Sequence, residues 1–443
     1  MKYALTHCYT DHNKGDAAII VSTTQLIRNS DSSAEINMFS TFGPNDSQFK
    51  NEHEFISKYA DNMYPGMFYQ PRPLFAGSDK SRVIHLLWIF IKFMLLLVTS
   101  NNIVQKILFN KLERQGIEVF LDSDVIISKG GSYITSQNTS VRQCISLFTM
   151  LYPFFLAKRY NKKMFIFSQS LGPVVGSLNQ WLTKKALSGI EKIFLREDAC
   201  LKNYSEVKAL SDYVEMEIIP DTAFYLTSEV EQSKHDVKIK EDKFNVGLTL
   251  VDHAFKYIST QKEKCEKIEN YKLSIVKNIE YLIENHDAYI HIFPQVISDN
   301  SHLGHSDVRI SLEIEEICKN LGYGDRVKYH AGDYNPMQLK EMYKLMKIFI
   351  GTRLHSVIFS LSVNVPSINI AYHGTKSQGI LSAIDGFEMN VIEIDSITPE
   401  ILIGKTKSLL DNRKSLKNKL LVENVRLKSQ LEQAIKYVVD ASR

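Results

Sequence analysis

The stretch from Met346 to Tyr372, "MKIFIGTRLHSVIFSLSVNVPSINIAY", reads as strand, helix, strand. "KIFI" is a short apolar run of the kind that fills a sheet covered on both faces. Val357, Ile358 and Leu361 share one helical face, so a helix begins near Arg353 and packs inward. "PSINIAY" is the next strand. Arg353 and His355 then fall in the first helical turn, where a cation opposes the helix dipole at a cost of up to ~1 kcal/mol. A core needs neither residue, but an anion between them and the first backbone amides would use both. "AYHGTKSQG" puts His373 and Lys376 beyond the following strand, close to the same point. Arg, His and Lys converging on one helix N-terminus suit a small, doubly charged anion.

Outward from this unit the same alternation continues. "NVGLTLV", "AYIHIFPQV" and "RVKYHAG" are strands, with "YKLSIVKNIEYLIENH", "EIEEICKNLGY" and "PMQLKEMYKLM" as helices between and after them. From Pro399 the chain is helical and rich in Lys, Leu and Glu, which reads as a solvated packing helix. The N-terminal half repeats the pattern with "KYALTHCY", "AEINMFST", "SDVIISKGG", "KMFIFSQS", "KIFLRE" and "MEIIPDTAF". Interleaved strands and helices specify an α/β fold with parallel, doubly wound sheets. The charged, aperiodic stretch Thr227–Phe244 is the expected linker. It divides the chain into Rossmann-like domains 1–230 and 243–443, expected to face a central cleft. Ligands of such sheets bind beyond the strand C-terminal ends, where the polar residues of this sequence gather.

Several strand ends offer candidate site residues, each with a plainer alternative. In "NKGDAAI", Gly15 permits close backbone approach, and Asp16 either caps the following helix or faces the cleft as a substrate ligand or acid/base. The motif lacks both the three glycines of a dinucleotide fingerprint and the Lys-Ser/Thr of a P-loop. Gly130 and Gly131 make either a bare backbone wall against a sugar or phosphate, or a tight turn. Ser168, Gln169 and Ser170 suit sugar hydroxyls, or belong to turn chemistry set by Gly172-Pro173. Arg196 either pairs with Glu197 or Asp198, or binds a carboxylate or phosphate. Asp221 caps a turn or faces the cleft, and His291, Gln295 and Asp299 stand at a strand end of the second half.

Composition narrows the classes. The chain has 443 residues, too many for one ordinary core, with 44% hydrophobic and 23% charged residues. A net charge of +3 and the lack of any nucleic-acid-binding signature exclude a polyelectrolyte partner. The five cysteines have neither metal-ligand nor redox spacing and read as reduced thiols of a cytoplasmic protein, and no metal is expected. "MKYALTHCYTDHNKGD" turns polar too soon for a signal peptide. Two segments, Val83–Val98 and Cys144–Ala157, are apolar but shorter than the ~20 residues of a spanning helix. Each is either a buried core helix or a helix lying on a membrane surface, with Lys80, Arg82, Lys92, Lys158 and Arg159 placed for anionic headgroups.

Taken in order, "NKGDAAI", "GGSYI", "SQSLGP", "LRED", "IPDTAF", "GTRLHSVIF" and "PSINIAYHGTKSQG" resemble the polysaccharide pyruvyl transferase family, over Asn13 to Gly379. The resemblance implies a GT-B-like pair of domains. It also implies transfer of a pyruvyl group from phosphoenolpyruvate to a sugar, forming a cyclic ketal in cell-surface polysaccharide synthesis. Arg196, Arg353, His355 and Lys376 would stand where family members hold phosphoenolpyruvate, with Leu354 part of the same motif. His355, Asp16 and Asp221 become candidates for acid and base. Phosphoenolpyruvate is then the donor substrate and no separate cofactor is implied. The acceptor can be a sugar on a lipid carrier at the inner face of the plasma membrane, which the apolar segments would reach by peripheral contact. A GT-B-type glycosyltransferase using a nucleotide sugar, or a non-catalytic glycan-binding member of a synthesis complex, are the alternative functions. Sugar, ketal position and oligomeric state are not legible in the sequence.

Overall fold

The inner strands are buried along nearly their whole length because both faces of each sheet are covered there. β1 (Lys2–Cys8) is buried from Tyr3 onward, and the same pattern holds in β4 (Val125–Ser128) and β5 (Met164–Gln169). The computed structural model describes all residues except 45, 47–48, 50, 70–78, 100–101, 228–233, 236, 252–253, 256–257, 259, 298–305 and 373–375, and the side chains of 79–83, 85 and 102–104.

The chain divides into two compact units. The first comprises residues 1–11, 19–222 and 429–443; the second comprises 12–18 and 223–428. Segments 12–18 and 429–443 therefore group away from their sequence neighbours, which a single cut between 230 and 243 does not express.

The first unit carries a seven-stranded parallel sheet in the order β3-β2-β1-β4-β5-β6-β7. Its remaining strands are β2 (Glu35–Ser40), β3 (Asn62–Tyr64), β6 (Lys192–Leu195) and β7 (Met216–Ile218). The helices of this half of the chain are α1 (Lys14–Ser30), α2 (Asp79–Val98), α3 (Asn102–Leu108), α4 (Lys111–Asp122), α5 (Val141–Arg159), α6 (Ser177–Leu187), α7 (Ala199–Asn203) and α8 (Ser205–Leu210). Right-handed crossovers put α5 and α6 on the sheet face opposite α1.

The second unit has β8 (Phe244–Thr249), α9 (Gln261–His286), β9 (Ala288–Ile292), α10 (Val308–Asn320), β10 (Val327–Tyr329), α11 (Pro336–Lys344), β11 (Ile348–Gly351), α12 (Leu354–Ser362), β12 (Ser367–Ala371), α13 (Lys376–Leu381), β13 (Val391–Glu393) and α14 (Pro399–Asp411). Its six strands are parallel in the order β10-β9-β8-β11-β12-β13. α15 (Arg413–Ser442) follows, and its last turns belong to the first unit, where Tyr437 stacks edge-on to Phe194 at 6.1 Å. In both sheets the strand order reverses once, between β1 and β4 and between β8 and β11. Those switch points are where doubly wound sheets bind ligands.

The two apolar segments behave differently. Cys144–Ala157 lies in α5, with Leu147, Leu151, Tyr152, Phe154 and Leu156 fully buried, so it is a core helix. Val83–Val98 forms most of α2, which buries Ile89, Phe93 and Leu96 but leaves Ile84, Leu87, Trp88, Ile91, Leu95 and Val98 exposed. Lys92 does not face headgroups. It is buried, with Nζ 2.5 Å from Glu113 and 3.1 Å from the Tyr69 hydroxyl. The side chains of Lys80 and Arg82 lie outside the described residues. Among the described residues no helix is long and apolar enough to cross a membrane.

Candidate functional site

Arg353 stands at the switch point of the second sheet, at the N-cap of α12 and one residue past Thr352. Its backbone N–H points to Thr249 Oγ1 at 3.5 Å, and Thr249 Oγ1 meets Ser356 Oγ at 2.7 Å, so β8, β11 and the first turn of α12 are tied together. The guanidinium does not project into open space. Nε donates to both carboxylate oxygens of Asp307 at 3.1 Å, Nη2 donates to Oδ1 at 2.6 Å, and Nη1 donates to the Tyr372 hydroxyl at 3.1 Å. Burial by itself would lower the pKa of this group; Asp307 and Tyr372 reverse that and hold it above its usual value. The buried Asp307 also accepts the backbone N–H groups of Gln295 and Val296, both at 3.0 Å. Asp307 precedes α10 but makes no side-chain cap there, because its oxygens are turned to Arg353.

Arg353 therefore comes with a buried counter-ion, Asp307, which the sequence reading did not include. These contacts use three of its five N–H donors, which leaves one on each terminal nitrogen. The Asp307 carboxylate fixes the plane of the fork.

His355 lies in the first turn of α12, half-buried, against the backbone of Gly15. Asn13, Lys14, Gly15 and Asp16 belong to the same unit as His355. Asn13 Oδ1 accepts from the Gly15 N–H at 3.2 Å and the Asp16 N–H at 3.4 Å, and its Nδ2 donates to Asp16 Oδ2 at 2.7 Å. Asn13 is therefore the cap of α1, and Asp16 is a half-buried carboxylate oriented by it rather than the cap itself. Lys14 is buried in an ion pair with Asp333 at 2.5 Å. Leu354 and Lys376 open α12 and α13, the latter four residues beyond Tyr372. His373 and Asp299 lie outside the described residues, while Gln295 donates to the Tyr343 hydroxyl at 2.7 Å.

The first unit holds a second polar cluster at the ends of β5 and β6. Arg196 is buried, its Nη1 2.8 Å from Asp221 and its Nε 2.6 Å from Ser170 Oγ and 3.4 Å from Glu197. Burial opposes the charge, but Asp221 and Glu197 raise its pKa above the ordinary value. Asp198 pairs instead with Lys202. Asp221 is thus a counter-ion of Arg196, a pairing the sequence reading did not include. Ser168 Oγ donates to Pro220 O at 3.0 Å and accepts the Thr222 N–H, a structural tie. Gln169 is fully buried, and among the described residues neither its amide oxygen nor its amide nitrogen has a hydrogen-bond partner. The paired glycines have packing reasons: a Cβ on Gly130 would lie 2.6 Å from Ser168 O, and Gly131 has φ of 135°. Both make the close approach of β4's end to β5, where the Ser170 N–H donates to Gly131 O at 2.8 Å.

Sequence reasoning missed Asp307 and Tyr372 as partners of Arg353. Asp307 is 46 positions away, in "GHSDVRI", which carries no recognisable spacing. Tyr372 lies inside a motif that had been read for its His and Lys. Among the described residues no group of three or more His, Cys, Asp or Glu is placed to hold a metal ion.

Comparison with known proteins supplies a context for this geometry. The family model described as polysaccharide pyruvyl transferase matches residues 13–374. The amylovoran biosynthesis protein AmsJ of Erwinia amylovora is 20% identical over 426 residues, covering 95% of this chain and 94% of that protein. Among solved structures, the UDP-GlcNAc 2-epimerase of Neisseria meningitidis, bound to UDP-GlcNAc, aligns with a TM-score of 0.56 at 11% identity, covering 99% of each chain. The sucrose-phosphate synthase of Thermosynechococcus elongatus aligns with a TM-score of 0.52 at 12% identity, over 100% of this chain and 98% of that one. At such identities the solved structures speak to the GT-B-like fold alone.

Proposed function

The chain belongs to the polysaccharide pyruvyl transferase family, and from that premise we propose that it transfers the pyruvyl group of phosphoenolpyruvate to two hydroxyls of one sugar, forming a ketal in surface-polysaccharide synthesis. The observation that carries the reading is the fixed guanidinium of Arg353 at the second sheet's switch point, with His355 in the first turn of the helix it caps. Phosphoenolpyruvate carries a carboxylate and a phosphate. Arg353, His355, the first amides of α12 and Lys376 are the groups of this unit suited to them.

The reaction needs a proton on the methylene carbon of the enol phosphate. That creates an oxocarbenium-like centre at the adjacent carbon, which a sugar hydroxyl attacks while giving up its own proton. Phosphate then leaves with the C–O electron pair, and a second hydroxyl closes the ketal ring, its proton passing to the released phosphate. Convergent cations stabilise the departing phosphate. His355 and Asp16 are the acid and base candidates, since Asp221 is engaged by Arg196. In the first unit, Gln169, Ser170 and the Arg196 cluster are suited to sugar hydroxyls, which need donors and acceptors rather than net charge. The acceptor in this reading is a sugar on a lipid carrier.

The test is a thermal-shift titration with phosphoenolpyruvate beside a panel of nucleotide sugars, on wild type and Lys376→Ala. A ligand at 100 times its dissociation constant stabilises by ~2.7 kcal/mol. The expected result is a shift with phosphoenolpyruvate that is reduced in Lys376→Ala. A shift with nucleotide sugars only would replace this reading with a glycosyltransferase, and no shift with any of them would favour a non-catalytic role.

A further inference from the structure

We propose that the layer formed by α2, α5 and α6 docks on an anionic lipid surface. α5 lies beside α2 through Phe93 against Tyr152 at 5.4 Å and Phe90 against Phe148 at 5.8 Å. Their C-terminal ends are pinned where Arg159 Nε donates to Leu97 O at 3.1 Å. Lys158 at the same end of α5 donates to Ser188 O, just past α6, at 2.8 Å. The three helices therefore run in the same direction within one layer of the first unit.

Three features belong to this layer. The outward face of α2 carries Ile84, Leu87, Trp88, Ile91, Leu95 and Val98, all exposed and spaced as one helical stripe. At 1.5 Å per residue this stripe is about 21 Å long, far more than a scattered surface apolar residue. The chain's two tryptophans, Trp88 on α2 and Trp181 on α6, are 48% and 54% exposed, the side chain suited to the boundary between headgroups and acyl chains. Finally, α5 and α6 carry Arg142, Lys158, Arg159, Lys184 and Lys185 and no Asp or Glu, and among the described residues none of the five pairs with a carboxylate.

The charge selects the occupant. A two-fold contact with a second copy sets a patch against itself, so these basic helices would meet like charges. An anionic bilayer meets them with the opposite sign, each nearby Lys or Arg contributing about 1 kcal/mol, while the stripe of α2 sinks into the interface. The inference deepens the reading of a lipid-borne acceptor, because it would bring the enzyme to the surface where that acceptor lies, yet it does not depend on the donor.

The tryptophans report on it directly. The protein is mixed with vesicles of phosphatidylcholine alone or with phosphatidylglycerol, no carrier lipid or phosphoenolpyruvate being present. The expected result is flotation with the phosphatidylglycerol vesicles, weakened by salt, with a blue shift of emission and quenching by brominated acyl chains. Trp88→Phe should remove most of that shift. Leu87→Glu with Ile91→Glu should weaken binding at least tenfold at an unchanged melting temperature, since both sites are exposed. Unaltered emission and no flotation with either vesicle would overturn the proposal. So would a wild-type dimer in lipid-free buffer that the double variant converts to monomer, which would make the face a self-association surface. Failure here leaves the thermal shift with phosphoenolpyruvate intact, and loss of that shift leaves vesicle binding intact.

Discussion

Gly15 lies flat against the imidazole of His355: a Cβ at residue 15 would be 2.3 Å from Nδ1 and 2.5 Å from Cγ. No side chain fits there while the ring keeps its place. The glycine of "NKGD" is therefore explained by a contact with a residue 340 positions later, not by its own backbone angles.

Gly15→Ala must push the ring out of its position. Overpacking of this kind costs about 1–3 kcal/mol. The variant should unfold at lower urea concentration than wild type and release phosphate from phosphoenolpyruvate, with acceptor present, at least tenfold more slowly. Adding His355→Ala should restore most of the stability but none of the activity, because the methyl then occupies the space of the ring. Additive losses of stability would show that the two residues do not touch.

Asp307 is buried beneath Arg353 and shares three hydrogen bonds with it. Removing one partner of a buried pair leaves the other uncompensated and costs about 3–5 kcal/mol. Asp307→Asn should therefore lower stability by that amount in urea unfolding, whereas Arg353→Leu combined with Asp307→Leu should cost less than either single change. A loss below about 1 kcal/mol for Asp307→Asn would mean the pair is solvated.

Gln169 is buried with both amide atoms unpartnered among the described residues. A group held this way for folding alone would be a defect, costing about 1–3 kcal/mol. Gln169→Leu should leave stability unchanged or raise it, while lowering turnover of the acceptor. Such a split marks a residue kept for function. A destabilised variant with normal kinetics would identify the amide as structural.

Acid should destabilise the fold through three histidines. Burial lowers His7 to about 3, His291 to about 4 and His330 to about 3. His7 is held as the Nε2–H tautomer by Met150 O at 2.9 Å. Unfolded, each titrates near ~6.5, so below that pH the unfolded chain binds more protons than the folded one. Their contribution is therefore intact above about 6.5 and falls as the pH drops toward about 4, by up to ~1.4 kcal/mol per unit for each histidine. Urea midpoints between pH 7 and 5 should show this slope, and His330→Gln should flatten it. An unchanged slope in that variant would place the loss in the carboxylates.

Much of this architecture is written locally. Continuous apolar runs such as "IFIG" and "VIIS" mark strands covered on both faces, and the polar residue after each marks its end. That was enough to put Arg353 at the head of a helix in a doubly wound sheet. The three-residue edge strands β3 and β13 were not read from the sequence, although the equally short β7 and β10 were, within "MEIIPDTAF" and "RVKYHAG". The apolar run Cys144–Ala157 could not be told from a surface helix by composition, since hydrophobicity does not say what covers it.

By itself, the sequence determined the repeating strand–helix order and the identity of the polar residues at the strand ends, because periodicity and turn chemistry act over a few residues. Only the tertiary structure decided how those residues are partnered. Arg353 meets Asp307 across 46 positions and Arg196 meets Asp221 across 25, and neither separation carries a helical or strand period. A buried charge must find its counter-ion wherever the chain returns, and that return is set by packing of whole elements rather than by any local pattern.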